Sequence, residues 1–310
     1  MISRRLRALL LGLVAVTVLY AAACTGGDQH GRDIGGDGSH GPATGGAGPS
    51  DADGLGSAPA SPPASAGPSG PAAPPAGGWW KPAVGLTWQW QLTGALDKSV
   101  PAEVYDVDGA NTSAADVAAL KAAGRHVICY VNVGAHEDFR ADARNFPESV
   151  RGKGLDGWPG EKWLDIRRWD VLEPLLSARF KQCKDKGFDA VEPDNVDGYS
   201  NNSGFPLTAA DQLTFNRRVA DLAHRAGLGV GLKNDVEQAA ALAPAFDFAV
   251  NEECARYDEC DTLKVFTGAG KPVFHVEYDG STGSFCAKTK ALRFSSMKKK
   301  MDLDAWRETC

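Results

Sequence analysis

Acidic residues recur along the last two thirds of the chain, each group closing or following a short apolar run. They are Asp106 with Asp108, Asp165, Glu192 with Asp194 and Asp197, Asp235 after Lys233-Asn234, Glu252-Glu253, and Glu277-Tyr278-Asp279. Any one of these acids is explained by a turn or a helix cap. The repetition asks for more. If the apolar runs are strands pointing one way, their acids share a rim, where they raise one another's pKa and attract cations. Two carboxylates facing across such a rim meet the requirement for glycosidic cleavage: one protonates the leaving oxygen, the other attacks the anomeric carbon or activates water. Asp194 and Glu252, at the ends of the fifth and seventh runs, are the candidate pair. Asp106, Asp165, Glu192, Asp197 and Lys233 are candidate substrate ligands. Trp88, Trp90, Tyr130, Tyr199 and Tyr278 lie near the same ends and are candidates to stack on sugar faces. Asp194, Asn195 and Asp197 do not match the calcium loop with its Gly and distal Glu, so no metal is expected. The serine nucleophile elbow G-x-S-x-G is absent.

The elements that must position these residues follow from the pattern. Eight β-rich runs are expected: Trp88–Leu92, Glu103–Val107, His126–Val131, Trp163–Ile166, Asp189–Glu192, Gly229–Lys233, Asp247–Asn251 and Val273–Tyr278. Helices separate several of them. Ser113 is placed to cap a helix ending near Ala123. Trp169, Leu172, Leu176, Phe180 and Cys183 recur at helical spacing over Trp169–Lys186. Thr208 followed by Asp211 reads as a capping box. Alternating strands and helices imply parallel pairing, and eight strands imply a closed α/β barrel of the TIM type, (β/α)8. A doubly wound sheet is the rival, but Thr93-Gly94-Ala95-Leu96 after the first run is not its phosphate loop. In such a barrel the active site lies at the C-terminal strand ends.

The ends of the chain read differently. Residues 1–23 carry Arg4, Arg5 and Arg7, an uncharged apolar run from Ala8 to Leu19, and Ala21-Ala22-Ala23, the features of a signal peptide. Cys24 then resembles the lipidated cysteine of bacterial lipoproteins, although Ala21 stands where Leu is usual. Residues 24–78 are dominated by Gly, Pro, Ala, Ser and Asp, and hold no aromatic residue. Such a segment cannot bury enough surface to order itself and reads as a disordered linker. A secreted or membrane-anchored, extracellular protein is expected, held by its lipid anchor and acting as a monomer. Removing the leader lowers the formal charge of −6 by three more units. That acidity argues against nucleic acid as a partner. Without Cys24, six cysteines remain: Cys129, Cys183, Cys254, Cys260, Cys286 and Cys310. An even number in an exported chain indicates disulfides, although six allow 15 pairings. Local closure favours Cys254–Cys260, then Cys286–Cys310, leaving Cys129–Cys183. Zinc is disfavoured, because no CxxC or His cluster accompanies them.

The run Val191-Glu192-Pro193-Asp194-Asn195-Val196-Asp197-Gly198-Tyr199 resembles the signature of glycoside hydrolase family 114, the endo-α-1,4-polygalactosaminidases. Trp88-Gln89-Trp90-Gln91-Leu92, Val104-Tyr105-Asp106-Val107-Asp108, Cys129-Tyr130 and Asn251-Glu252-Glu253-Cys254 with Tyr257 and Cys260 extend the likeness from Trp88 to about Gly280. The resemblance implies a (β/α)8-type barrel, no cofactor, and hydrolysis of an α-1,4-linked galactosamine polysaccharide. It implies Asp194 as nucleophile and Glu252 as general acid/base, with Glu192, Asp197 and Tyr199 positioning substrate. The competing expectation is a surface-anchored carbohydrate-binding lipoprotein without turnover.

Overall fold

The computed structural model describes residues 78–310. The signal peptide, Cys24 and all but the last residue of the linker lie outside these described residues. Eight parallel strands curl into one sheet in the order β1 (Trp88–Gln91), β2 (Val104–Asp108), β3 (His126–Asn132), β7 (Ala190–Asp194), β8 (Gly229–Lys233), β9 (Phe248–Glu252), β10 (Val273–Glu277) and β11 (Ser295–Lys298). A two-residue strand, β12 (Glu308–Thr309), adds antiparallel to β11. Helices α1 (Ala114–Ala122), α2 (Trp169–Lys186), α3 (Ala209–Arg225), α4 (Ala239–Leu242), α5 (Lys264–Gly268) and α6 (Thr282–Ala291) fill the crossovers. This is the TIM-type architecture that the alternation of runs implies.

Two strand assignments are corrected. Trp163–Ile166 is not the fourth barrel strand. Its first two residues end β6 (Trp158–Leu164), which pairs antiparallel with β4 (Ala135–Glu137) and β5 (Arg151–Leu155) in a separate small sheet. The fourth barrel position belongs to β7, and the eighth to β11, which the apolar pattern did not mark. Ser295, Ser296 and Lys298 give β11 little strand character of its own. Parallel pairing of all four residues with Phe274–Glu277 supplies it, and Ser296 Oγ meets His275 Nδ1 at 3.0 Å.

The helix signals fold as expected. Ser113 Oγ accepts the Asp116 N–H at 3.1 Å. Thr208 and Asp211 exchange both bonds of a capping box at 3.1 and 2.9 Å. Helix α2 ends at Gly187, whose φ of 93° a side chain would resist. Apolar faces of the helices bury Leu172, Leu176, Phe180, Phe215 and Val219 against the outer sheet face. The disulfides are Cys129–Cys183, Cys254–Cys260 and Cys286–Cys310, the pairing that local closure favours. The first ties β3 to α2.

The barrel interior is layered. Residues two apart on a strand point the same way, and the lower inward positions are apolar: Trp88, Val104, Ile128, Ala190, Phe248, Phe274 and Met297 form one buried cluster. One or two steps toward the C-terminal ends, the same files carry Asp106, Tyr130, Glu192, Asp194, Lys233 and Glu252. Gly231 makes the layering possible. A Cβ there would come within 2.3 Å of the Phe248 ring.

Candidate active site

Lys233, last residue of β8, sends its ammonium into the mouth of the barrel. It lies 3.1 Å from Asp194 Oδ1, 3.2 Å from Glu192 Oε1 and 3.2 Å from Glu252 Oε2. It also sits 4.8 Å above the Trp90 ring. Strand geometry puts these groups together. Glu192 and Asp194 are two apart on β7 and so face inward together, while Tyr130 and Asn132 are their register partners on β3. Glu252 closes β9, two strands beyond β7.

Each carboxylate of the pair has its own set of donors. Tyr130 donates to Asp194 Oδ2 at 2.8 Å. Asn234 donates to Glu252 Oε2 at 3.0 Å, and its side-chain oxygen accepts the Glu252 N–H at 2.9 Å. Tyr278 donates its hydroxyl to Glu252 Oε1. Burial alone would raise Asp194, but the Lys233 charge, the Tyr130 hydroxyl and the Asn195 N–H outweigh it, and its pKa is lowered. Burial acts against the Lys233 ammonium, yet Asp194, Glu252 and Glu192 hold it charged, well above its usual range.

Beneath this layer lies a second acid pair. Asp106 is fully buried and neither of its oxygens accepts a hydrogen bond from a protein donor. Burial and the neighbouring Glu192 push it well above the usual carboxylate range. Its carboxyl faces Glu192 across this buried layer. Burial raises Glu192 to about 7, against the pull of Lys233, and Trp90 Nε1 donates to its Oε2 at 3.1 Å. Asp197 is raised to about 6 by burial and then by the Asp194 charge.

The strand ends around the mouth turn sharply. Asn195, Asn234 and Glu253 directly follow Asp194, Lys233 and Glu252, and all three have left-handed backbone, with φ of 60°, 48° and 61°. Non-glycine residues in that region are strained and cluster at functional sites. The close approach of Gly134 to Asn195 completes the corner: a Cβ on Gly134 would lie 1.7 Å from the Asn195 carbonyl oxygen.

Other residues expected at the site lie elsewhere. Trp88 is buried in the seam between β1 and β11, where its Nε1 donates to the Ser295 carbonyl at 2.9 Å and its ring stacks on Trp90. Nothing exposes it to a sugar. Asp165 follows β6 and is gripped by Arg167 through two bonds of 2.7 and 2.8 Å. No hydrogen bond or ion pair joins it to the Lys233 cluster. Tyr199 donates to Glu237 Oε2 at 3.2 Å across the mouth loops. Three further rim acids serve the scaffold: Asp108 is clamped by Arg140, Asp235 by Asn216, and Glu277 by His275 and the Ala255 N–H.

Two participants went unread in the sequence. Asn234 carried a weak signal, as an Asn directly after a strand. Glu161 carried none, because it comes from the small sheet. Asn132 Nδ2 donates to its Oε2 at 3.1 Å, and burial, then the charges of Glu137 and Asp194, raise it to about 7. The sulfurs of Cys254 and Cys260 cluster with a nitrogen of His275 in ligand range, but these sulfurs are bonded to each other and offer no thiolate to a metal.

Relatives share the family and the fold. No curated protein matches the chain. Among solved structures, Ega3 of Aspergillus fumigatus, described in complex with galactosamine, is 41% identical over 75% of this chain and 98% of its own, with a TM-score of 0.71. The glycoside hydrolase domain of PelA from Pseudomonas aeruginosa shares the fold, with a TM-score of 0.56 at 15% identity over 72% of this chain and 97% of its own. The model of glycoside-hydrolase family GH114 matches residues 70–310, so the chain belongs to that family and is a glycoside hydrolase.

Proposed function

We propose that this glycoside hydrolase is an endo-acting enzyme that cleaves α-1,4-linked galactosamine polysaccharide, with Asp194 as nucleophile and Glu252 as general acid/base. The observation that carries the reading is the Lys233 ammonium, at 3.1 Å from Asp194 and 3.2 Å from Glu252. The two nearest oxygens cannot be farther apart than those two distances laid end to end. That bound concerns one oxygen of each carboxylate and accommodates the roughly 5–5.5 Å separation of retaining enzymes, which a nucleophilic Asp194 requires.

In the first half-reaction Glu252 acts as the general acid and gives a proton to the leaving glycosidic oxygen. Asp194 bonds to the anomeric carbon as the carbon–oxygen bond breaks. The Asp194 charge is consumed at that moment, and the Glu252 charge appears. Lys233, in reach of both, exchanges one partner for the other without moving far. In the second half-reaction Glu252 takes a proton from water, the hydroxide portion bonds to the anomeric carbon, and Asp194 leaves as carboxylate. The lowered pKa of Asp194 keeps it ionised for attack. A cationic amino sugar fits the acidic mouth, in which Asp197 and Glu161 stand near Asp194, and fits the galactosamine bound to Ega3.

The test uses polygalactosamine and product sizing. Wild type shortens the polymer from within, and Asp194→Asn and Glu252→Gln each lower kcat by about 10²–10⁴-fold. Undiminished cleavage by either variant removes that residue from its role. The enzyme is read as extracellular and lipid-anchored through Cys24, a reading supported by three disulfides, which persist in oxidising compartments. Cys24→Ser is then expected to move the protein from the membrane fraction to the soluble one.

A further inference from the structure

Three aromatic side chains stand out from the surface on the face that carries the site. Phe139 is 61% exposed, Trp158 52% and Tyr257 40%. All three belong to segments that leave the C-terminal ends of barrel strands. Phe139 and Trp158 lie in the excursion after β3, and Tyr257 in the loop after β9. The excursion leans against the nucleophile strand. The N–H groups of Val133 and Gly134 both donate to the Asp194 carbonyl, at 3.2 and 3.1 Å. Glu161, three residues along β6 from Trp158, binds Asn132, the register partner of Asp194. Three residues of strand span at most about 10 Å. Trp158 itself is at the tip of the β5–β6 hairpin, opposite Leu155. The Asp138 N–H donates to the Gly160 carbonyl at 3.0 Å, which keeps Phe139 on the same hairpin. The rings thus flank the mouth on two sides, Phe139 and Trp158 beside the Asp194 strand and Tyr257 beyond Glu252.

Their surroundings say what kind of partner they suit. Each ring has an exposed aspartate within two residues: Asp138 before Phe139, Asp156 before Trp158 and Asp258 after Tyr257. The Arg140 guanidinium lies 5.3 Å from the Phe139 ring and that of Arg256 5.5 Å from Tyr257, so a cation holds one side of these two rings. A flat apolar ring beside a carboxylate matches an amino sugar, which offers a C–H face to the ring and an ammonium group to the acid. The rings stand on two segments, Phe139 and Trp158 on the small sheet and Tyr257 in the loop after β9, which suits an extended polymer crossing the mouth.

We infer that Phe139, Trp158 and Tyr257 form outlying binding platforms for the amino-sugar chain on both sides of the bond being cut. The inference rests on the proposed polygalactosaminidase reading and deepens it. Platforms on both sides hold the middle of a chain, which is how an enzyme cuts internally. Remote contacts of this kind bind ground state and transition state alike and so act on KM.

The test compares long α-1,4-galactosamine polymer with tetramers, using Trp158→Ala, Tyr257→Ala and the ring-keeping Trp158→Phe, each checked for an unchanged melting temperature. For the alanine variants KM on polymer rises roughly tenfold with kcat little changed, while kcat/KM on tetramers moves less than about twofold. Trp158→Phe recovers most of the polymer affinity. Equal effects on polymer and tetramer, or none on polymer, overturn the inference. Affinity electrophoresis in polygalactosamine gels reads the platforms without turnover. Weaker retardation of the alanine variants supports them even if wild type cleaves nothing, an outcome that would sink the proposed function alone. Unchanged retardation, or a change only in sedimentation coefficient, overturns the platforms and assigns the rings to another role or to a second copy of the chain.

Discussion

Lys233 shares one ammonium among three acids, so its removal leaves Glu192, Asp194 and Glu252 with no cation between them. Burial raises Asp194, and Lys233 is the largest influence that opposes burial. Lys233→Met is therefore expected to move the acid limb of the kcat/KM profile to higher pH and to lower kcat at least tenfold. An unmoved limb in a pH–rate series would separate Lys233 from the chemistry. Glu161 provides the complementary stability test. Its folded pKa of about 7, against 4.5 ordinarily, means that the folded chain holds this proton more tightly than the unfolded one. Its contribution to stability is fully present below pH 4.5 and is lost as pH rises through about 7. Glu161→Gln keeps an oxygen for Asn132 and removes the titration. Melting curves at several pH values are expected to show the variant gaining on wild type from pH 4.5 to 7, with no such gain below that window.

At the scale of elements, the corner between β3 and β4 decides where the nucleophile points. Gly134 packs so close to the peptide after Asp194 that a Cβ would overlap the Asn195 oxygen at 1.7 Å. The obstacle is backbone and cannot swing aside. Gly134→Ala is expected to cost more than the roughly 1–3 kcal/mol typical of overpacking, and to lower activity at temperatures where the chain is still folded. Denaturant unfolding with parallel activity assays checks both. Strand ends, caps and the inward acids of this region were legible beforehand, because they follow from residues near in sequence. The capping box of Thr208 and Asp211 and the span of α2 are of this kind. The identity of the fourth barrel strand was not. Trp163 and Leu164 are as apolar as any barrel strand, and only their antiparallel partners in β4 and β5 assign them elsewhere.

The whole barrel depends on how its first and last strands meet. Among the described residues no ladder joins β1 to β11. The C-terminal segment bridges them: the Leu303 carbonyl accepts from the N–H groups of Leu92 and Thr93 at 3.0 and 3.3 Å, Gln89 donates to the Ala305 carbonyl at 2.8 Å, and Arg307 reaches the Trp88 carbonyl. The Cys286–Cys310 disulfide pins the far end of that segment to α6. Replacing both cysteines by serine is expected to cost about 3 kcal/mol, which for a domain of this size lowers Tm by roughly 6–12 °C. Differential scanning calorimetry measures it. A Tm within a degree of wild type would show that the bridge holds without its pin.

The order of residues by itself determined the things that depend on neighbours along the chain: alternating strands and helices, the caps, the even cysteine set, and acids spaced to fall at strand ends. It also held the segment Glu192 to Tyr199, whose types are dense enough to mark a family. Tertiary structure alone decided which acids act together. Asp108, Asp235 and Glu277 are spaced like Asp194 and Glu252, yet Arg140, Asn216 and the Ala255 N–H, all from other segments, take them into the scaffold. The physical reason is that a carboxylate's charge state and partners depend on burial and on groups brought near by strand pairing, and those contacts join residues far apart in the chain.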